Sequence, residues 1–322
     1  MGTDVAGARA SVALAQAIGA SIDHMHAASV FASLDVMRRA GWIVTTPLQA
    51  RARADTVLLV GDGLLEAWPE MAERLALDAP PALTGGSRRV FHLCPGLSTG
   101  DPAAFARGKP ILPVLAALRA IAAQRPTSLD DVASAPLRDL ASALARARFG
   151  VAIWAASVLD TLPVEMLCGL IDDLNKQTRF AGLPLVPSNG AEAVTQALTW
   201  TTGFPPRTGY AFAAPQHDPW RFDARRLIGT GEADAAVWIS ALSPAPHPWD
   251  DAVPTVALVP AGTAFRSPPA VVFEVGCPGR DHDAMVFDPA LGGIAFAAAS
   301  APTAVASVAG TLAAITAALS SC

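Results

Sequence analysis

The sequence predicts an α/β protein with two Rossmann-like, doubly wound lobes. The aliphatic run Thr56–Val60 is typical of a strand that is buried on both faces of a parallel sheet. It ends at Gly61-Asp62-Gly63, where glycine permits a sharp turn. Helical and strand-like stretches alternate along the chain. The sequence also contains a weak internal repeat, in which Ala54–Gly61 is similar to Ala233–Ser240. Each copy places an acidic corner before a strand, which favours two similar lobes.

The first lobe is predicted over residues 1–127. Gly19 and Gly41 each follow an apolar periodic stretch, as glycine commonly does after a helix. Thr46 and Pro47 are typical of a helix N-cap and the first helical position. The pattern predicts helices at 5–18, 28–40, 64–77 and 110–123, strands at 20–23, 56–60 and 88–93, and a lobe junction at 124–128.

The second lobe is predicted over residues 128–322 and repeats the scheme. Its last helix carries an apolar seam that needs a packing partner, which is either the sheet of the same chain or another subunit. The seam consists of Val305, Val308, Leu312, Ile315 and Leu319. The pattern indicates helices at 136–148, 163–180, 192–202 and 303–319, and strands at 151–155, 183–186, 235–240, 255–259 and 270–275.

Composition restricts the classes of function. Hydrophobic residues make up 52% of the 322 residues and charged residues 16%, which indicates a globular protein. The net charge of −5 and the lack of a basic stripe argue against nucleic-acid binding. No stretch has the character of a membrane span, and the apolar stretch 1–20 lacks the basic leader of a signal peptide.

Cysteine usage points to a reducing compartment. Cys94, Cys168, Cys277 and Cys322 are scattered and form no C-x-x-C pair, which excludes the usual iron–sulfur and structural zinc spacings. Single cysteines of this kind suit the cytoplasm, where they act as small buried apolar residues. We therefore expect a cytoplasmic location.

Signals for a ligand site are weak. Because ligands of open α/β sheets bind at the carboxyl ends of strands, Gly61, Asp62 and Gly63 are candidates for a cofactor-binding loop. A plain strand-to-helix turn needs the same residues. His24 and His26 resemble the His-x-His pair of zinc hydrolases, but further ligands would be required. The remaining histidines stand in no ligand spacing, so no metal site is predicted: His92, His217, His247 and His282.

Catalytic motifs are not found. The sequence contains no G-x-S-x-G, Walker loop or G-x-G-x-x-G motif, so no catalytic residue is assigned. Asp172 and Asp173, inside a predicted helix, are interpreted as a solvated face. In the proline-rich stretch Pro244–Asp251, Trp249 is either an interface anchor or part of the packing of the loop.

Four stretches resemble one family. They are Gly19–His24, Arg53–Asp55, Gln196–Pro205 and Gly231–Ala236. They are similar to the B subunit of formylmethanofuran dehydrogenase, and more closely to its bacterial form, the B subunit of the formyltransferase/hydrolase complex of methylotrophs. The resemblance implies two lobes of the molybdopterin oxidoreductase type, as in formate dehydrogenase, without the iron–sulfur domain.

The departures from the family pattern imply that the redox site is lost. Redox-active relatives carry a metal-ligating cysteine or selenocysteine where this chain reads Ala27–Val30. Their pterin-binding loops correspond here to Gly61–Leu64 and Ser240–Pro244, which contain no arginine or lysine. We therefore expect no bound cofactor and interpret Gly61, Asp62 and Gly63 as a vestigial cofactor loop. The alternative is that the chain still binds molybdopterin guanine dinucleotide.

The function that the resemblance implies is that of a scaffold. The chain would hold the other subunits of a formyltransferase/hydrolase complex, chiefly its amidohydrolase-type subunit, and would bind a furan-type C1 carrier. It would serve tetrahydromethanopterin-linked oxidation of formaldehyde to formate without catalysing a step itself. Two alternatives remain open: a molybdopterin-dependent oxidoreductase subunit, and a stand-alone module that binds a nucleotide or C1 carrier.

Overall fold

A computed structural model of the chain describes residues 1–64, 68, 70–93, 110–126, 134–185, 190–212, 214–250 and 253–321. The helices are α1 (Val5–Ile18), α2 (Ala27–Ala40), α3 (Pro47–Arg53), α4 (Met71–Arg74), α5 (Ile111–Ala122), α6 (Ser134–Ala145), α7 (Thr161–Asn175), α8 (Ala191–Thr202), α9 (Ala224–Gly229) and α10 (Val308–Ser320). The strands are β1 (Ser21–Ile22), β2 (Thr56–Val60), β3 (Arg89–Leu93), β4 (Gly150–Ala155), β5 (Phe180–Leu185), β6 (Thr208–Gly209), β7 (Gln216–His217), β8 (Ala236–Ile239), β9 (Thr255–Val259), β10 (Val271–Glu274), β11 (Ala284–Asp288) and β12 (Gly293–Ala297).

The chain divides into two compact units. The Met1 unit comprises Met1–Ala28, Pro187–Asp288 and Gly293–Cys322, and the Ser29 unit comprises Ser29–Val186 and Pro289–Gly292. This division differs from the predicted lobes of residues 1–127 and 128–322. The reason is that β2 and β4, which lie on opposite sides of residue 127 in the sequence, are hydrogen-bonded neighbours in one sheet.

The Ser29 unit contains a four-stranded parallel sheet in the order β3-β2-β4-β5. Every residue of β2 and β4 is buried, as the aliphatic runs predict. Leu58 and Val60 pack with α5, α6 and α7 on one face, whereas Val57 and Leu59 pack with α3 and α4 on the other. Helices therefore cover both faces of the sheet, and burial of each such side chain contributes about 1.5–3 kcal/mol.

Glycines on β4 and β5 make room for aromatic rings. A Cβ added at Gly150 would lie 2.1 Å from the ring of Phe180, and one added at Gly182 would lie 2.6 Å from the indole of Trp154. Gly150 of β4 and Phe180 of β5 are register partners. Gly182 of β5 lies against Trp154 of β4, so each strand places a glycine next to an aromatic ring of the other strand. The two contacts fix the β4–β5 pairing with little freedom for repacking.

Part of one predicted helix is outside the described chain. Within 64–77, the described residues include α4, while residues 65–67 and 69 are not described. The predicted junction at 124–128 likewise lies partly outside. The other predicted helices of the first lobe are present within a few residues of their expected bounds. None of the helices in the described ranges has both the length and the apolar character needed to cross a bilayer.

The Met1 unit contains a parallel sheet in the order β10-β9-β8 and a small antiparallel sheet in the order β1-β6-β7. Leu14 of α1 and Leu312 of α10 pack with Leu258 on one face of the parallel sheet. Trp238 and Ala257 belong to a second cluster on the opposite face. The seam of the last helix therefore packs within its own chain at Val308, Leu312 and Ile315, and the alternative of another subunit is not needed for these residues.

The last helix starts later than expected. It begins at Val308 and not at residue 303, because the Ser307 hydroxyl accepts a hydrogen bond from the Gly310 amide at 3.1 Å. Val305 thus lies before the helix and is exposed, as is Leu319 near its end.

A β-hairpin was not predicted. β11 and β12 pair in antiparallel register from Ala284↔Ala297 to Asp288↔Gly293. The turn sequence Pro289–Gly292 carries the proline and glycine signal of such a hairpin. Apart from the buried Ala284, the residues of the flanking strands are half-buried or exposed, so these strands lack the continuous buried runs of β2 and β4.

The interpretation of Asp173 as part of a solvated face is wrong. Asp173 is 4% exposed, and its carboxylate is 2.9 Å from Arg119 Nε and 2.6 Å from Lys176 Nζ, whereas Asp172 is exposed. Burial raises the pKa of Asp173, but the hydrogen bonds and charges of Lys176 and Arg119 outweigh burial and hold the pKa below its ordinary value. Arg119 on α5 thereby joins α7.

Trp249 takes part in the packing of its loop. Its indole Nε1 donates to Thr255 Oγ1 at 2.9 Å, and its ring meets Trp238 edge-on with centroids 5.5 Å apart. His247 stacks on the same ring at 5.3 Å. Since these contacts are internal, they favour the loop-packing interpretation over the interface anchor.

Candidate functional site

The loop Gly61–Gly63 lies at the carboxyl end of β2, as expected. Gly61 and Gly63 have φ values of 108° and 69°, which other residues adopt only with strain. The Gly61 amide donates to the Leu93 carbonyl at 3.1 Å. A Cβ at Gly61 would lie 3.1 Å from Val158 and 3.3 Å from Leu159, whereas one at Gly63 would meet no atom within 4 Å. The turn explains both glycines, and a cofactor role for the loop stays a prediction.

A second site forms where the family-like stretch Gly19–His24 meets β6, which follows the stretch Gln196–Pro205. β1 follows Gly19 and pairs in antiparallel fashion with β6, with Ser21 opposite Gly209 and Ile22 opposite Thr208. This pairing places Asp23, just after β1, beside Arg207, just before β6. Residues that are far apart in the sequence therefore form one cluster in the Met1 unit.

The cluster consists of one guanidinium between two carboxylates. Arg207 Nη2 is 2.5 Å from Asp223 Oδ2, and Arg207 Nε is 3.5 Å from Asp23 Oδ2. Arg207 Nη1 donates to the Pro219 carbonyl at 2.6 Å. The side chains of Asp23, Arg207 and Asp223 are 10%, 16% and 23% exposed, so solvent screens the charges only weakly. We call these three residues the Arg207 cluster.

Backbone contacts hold the Arg207 cluster in place. Asp23 accepts from the His24 amide at 2.7 Å and from the Ala224 amide at 3.0 Å. Asp223 caps α9 by accepting from the Arg226 amide at 3.0 Å. Arg207 has a φ of 63°, a left-handed conformation that costs a residue with a side chain about 1 kcal/mol or more. The surrounding bonds maintain this strain.

Burial dominates the electrostatics of Asp23. It raises the pKa of the carboxyl above its ordinary value, while the Ala224 amide and the Arg207 charge act in the opposite direction. The Arg207 guanidinium contacts both carboxylates and opposes their negative charges. The Arg207 cluster is thus suited to fixing backbone positions.

The two histidines lie in the turn after β1. His24 is 3% exposed, and its Nδ1 accepts a hydrogen bond from the His26 amide at 3.0 Å. The rings are 5.6 Å apart and tilted by 39°. Burial lowers the pKa of His26, with further contributions from the N-terminal amine and Arg225. Because the pair lies in a turn and one Nδ1 is in use, it lacks the strand geometry that a His-x-His zinc pair would have.

No metal site emerges around these histidines. Among the residues that the structure describes, no group of three or more histidine, cysteine, aspartate or glutamate side chains is placed to hold a metal ion. Cys168 is buried, and burial raises the pKa of its thiol to about 11, which makes the thiol a poor nucleophile or ligand at neutral pH.

Four exposed aromatic residues lie close to Arg207 in the sequence, two before it and two after it. Trp200, Phe204, Phe212 and Trp220 are 55%, 37%, 58% and 71% exposed. Phe204 stacks on His217 with centroids 6.1 Å apart, and the Arg226 guanidinium lies 4.3 Å from the centre of the Trp220 ring. The stretch Gln196–Pro205 stands out by its family resemblance, but no local spacing in the sequence connects it to Asp23 or Asp223.

The fold defines an α/β protein whose described residues form two parallel sheets, and it is distantly similar to the B subunits of formylmethanofuran dehydrogenases. The chain belongs to the family of the B subunits of formyltransferase/hydrolase complexes. It is 36% identical over 317 residues to the B subunit of the formyltransferase/hydrolase complex Fhc of Methylorubrum extorquens, a match that covers 94% of this chain and 83% of the relative.

Two further comparisons agree with this family. The crystal structure of the formyltransferase/hydrolase complex FhcABCD from Methylorubrum extorquens, in complex with methylofuran, matches with a TM-score of 0.89 and 35% identity. That match covers 100% of this chain and 90% of the solved chain. The B subunit of the tungsten-containing formylmethanofuran dehydrogenase 2 of Methanocaldococcus jannaschii is 25% identical over 263 residues, which cover 77% of this chain and 60% of that protein. No family model matches the sequence.

Proposed function

We propose that this chain is a non-catalytic scaffold subunit of a formyltransferase/hydrolase complex in C1 metabolism. The observation that carries the proposal is the likeness to the Fhc B subunit along nearly the whole chain, in sequence and in backbone. As the family resemblance implies, the chain holds the other subunits, chiefly the amidohydrolase-type subunit, and it assists the binding of a furan-type C1 carrier, since the solved complex contains methylofuran.

The segment that would carry the metal ligand supports a lost redox site. In this chain Ala27–Val30 forms the first turn of α2, and Ala27 and Val30 are 1% and 8% exposed. Small apolar side chains that are buried in this way offer no soft ligand to molybdenum or tungsten. We propose that the two molybdopterin-type lobes are retained without their metal.

The second loop of the internal repeat is closed by the chain itself. The Gly2 amide donates to the Ile239 carbonyl at 2.7 Å, and the Ala241 amide donates to the Gly2 carbonyl at 2.8 Å. Ser240 Oγ donates to the Ser243 carbonyl at 2.9 Å. The Ala241 amide and the Ser240 hydroxyl at the carboxyl end of β8 are thus occupied, which disfavours binding of a phosphate group by these two donors. The vestigial character of Gly61, Asp62 and Gly63 is part of the same proposal.

A cytoplasmic location is also part of the proposal. It is supported by the scattered cysteines of the sequence and by the buried, protonated thiol of Cys168.

The test is isolation of the native assembly through an affinity tag on this chain. We expect amidohydrolase-type and formyltransferase subunits to co-purify in fixed ratio, with formyl hydrolysis by the assembly but not by the isolated chain. A chain that purifies alone from cells in which the other subunits are present would contradict the proposal.

The 25% sequence identity to the B subunit of the tungsten-containing dehydrogenase supports a second candidate function. In this alternative the chain is an oxidoreductase subunit that binds molybdopterin guanine dinucleotide. A fluorescent oxidised pterin released from the denatured chain would establish this candidate. Denatured chain that releases no pterin would favour the scaffold.

A further inference from the structure

β10 is an apolar strand at an open sheet edge. Among the residues that the structure describes, it pairs only with β9, in parallel register from Val271↔Val256 to Glu274↔Val259. All four residues of β10 are exposed, and Val271, Val272 and Phe273 are 45%, 44% and 38% exposed. Edge strands are normally short of such side chains or carry lysine or proline, because an open apolar edge invites pairing with another chain.

The backbone of β10 offers unused hydrogen-bonding groups. Val275 donates to the Val259 carbonyl at 2.9 Å, so its backbone faces β9. In a parallel strand alternate residues bond to opposite sides, and therefore the amides and carbonyls of Val272 and Glu274 face away from β9. Within the described part of the chain, these outward groups meet no hydrogen-bond partner. Beyond them, the Gly276 amide donates to the Ala306 carbonyl at 2.9 Å, which limits the open edge to the strand itself.

Two of the other edges of the two parallel sheets are bridged by the chain's own segments. Gly2 forms a parallel bridge with Ser240 at the β8 edge. Val44 bridges to Gly182 at the β5 edge, where Thr45 donates to the Gly182 carbonyl at 2.8 Å. β3 is half-buried along its first four residues and buried at Leu93. β10 therefore differs from the other edge strands, β3, β5 and β8, because all of its residues are exposed, on both faces of the sheet.

We propose that β10 receives an extended segment of another subunit of the assembly, which adds a strand to the β10-β9-β8 sheet. The inference rests on the proposed function, because it requires an assembly with other subunits. Only an extended backbone can pair with the outward groups of Val272 and Glu274.

The side chains of β10 define the chemistry of the incoming strand. Val271 and Phe273 extend the face that carries Ile239 and Leu258, whereas Val272 extends the face that carries Trp238 and Ala257. An apolar residue on each face of the incoming strand would continue both clusters. Glu274 is the single charge on β10, so a lysine or arginine opposite it would be matched.

The test is residue-resolved amide hydrogen exchange on the isolated full chain and on the assembled complex. We expect the amides of Val272 and Glu274 to exchange at least about 100-fold more slowly in the complex, and the amide of Phe273 to be protected in both samples. Unchanged exchange at Val272 and Glu274 in an intact complex overturns the inference and leaves the proposed function standing. Failure of the chain to assemble overturns both.

A pair of matched variants gives an independent readout. Val272→Lys should lower the yield of assembled complex by about tenfold or more, whereas Val237→Lys, on β8 of the same sheet, should leave it unchanged. The two valines are almost equally exposed, at 44% and 43%. Equal yields for the two variants, each shown to be folded by its thermal transition, overturn the inference. So does protection of Val272 that rises with the concentration of the isolated chain, since a second copy would then be the occupant.

Discussion

Arg207 Nη2 lies 2.5 Å from Asp223 Oδ2. The same side chain reaches Asp23, and its backbone amide donates to the Ile22 carbonyl at 2.7 Å. The residue thus connects the end of β1, the start of β6 and the cap of α9. These connections order the region that carries the exposed rings of Trp200, Phe204, Phe212 and Trp220.

Replacement of Arg207 should be costly. Arg207→Ala leaves the carboxylates of Asp23 and Asp223 without their shared cation, and we expect the free energy of unfolding to fall by about 3–5 kcal/mol in urea titrations at pH 7. The control is Arg38→Ala, which removes a pair whose arginine side chain is 78% exposed and should cost at most about 1 kcal/mol. Similar losses for the two variants would show that the Arg207 cluster does not stabilise the fold.

Asp173 should make stability depend on acid pH. Its folded-state pKa is depressed below the ordinary value of 3.8, so its contribution is present above about pH 4 and is lost as the pH falls through the folded pKa. Asp173→Asn should cost about 1–3 kcal/mol at pH 7, where hydrogen bonds to a charged group are lost. The difference between the two proteins should shrink below pH 4. A difference that is constant from pH 7 to pH 3 would contradict the ion pairs.

His26 should titrate below its ordinary range. Its pKa is lowered from 6.5 by burial, the N-terminal amine and Arg225. Because the unfolded chain binds the proton more readily, the contribution of neutral His26 to stability decreases as the pH falls below 6.5. Proton NMR of the imidazole should give a midpoint below 6.5, and Arg225→Ala should raise it. A midpoint at or above 6.5 in the native protein would refute the burial of the ring.

The glycine beneath Trp154 should tolerate no side chain. In Gly182→Ala the added Cβ would lie 2.6 Å from the indole, and we expect a loss of about 1–3 kcal/mol from overpacking. Gly229→Ala serves as control, because its Cβ would meet no atom within 4 Å, and it should be neutral or stabilise by up to about 1 kcal/mol. Thermal unfolding of both variants tests the contact. Equal transition temperatures would mean that Trp154 moves aside freely.

Local signals predicted the most buried elements well. The runs at β2 and β4 are continuous and aliphatic, and both strands are buried on two faces. The hairpin β11–β12 lacks such a run, so its turn residues were the usable signal. Asp173 looked like a solvated residue because one of its two cations, Arg119, lies on another helix.

Long-range contacts explain what the sequence did not reveal about the site. Asp23 and Arg207 are 184 residues apart, as the difference of their numbers shows, and only the β1–β6 pairing brings them together. The division into units is similarly a consequence of β2 and β4 pairing across the predicted boundary. Spacing along the chain carries no information on either contact.

The central claim is that a fold related to redox enzymes serves here without its metal. Elemental analysis of the assembled native complex by mass spectrometry, expressed per mole of this chain, tests it most directly. The account predicts that molybdenum and tungsten are both far below one atom per chain, in preparations that hydrolyse the formyl group at full rate. One atom of either metal per chain, retained by the chain after its separation from the other subunits, would contradict the account.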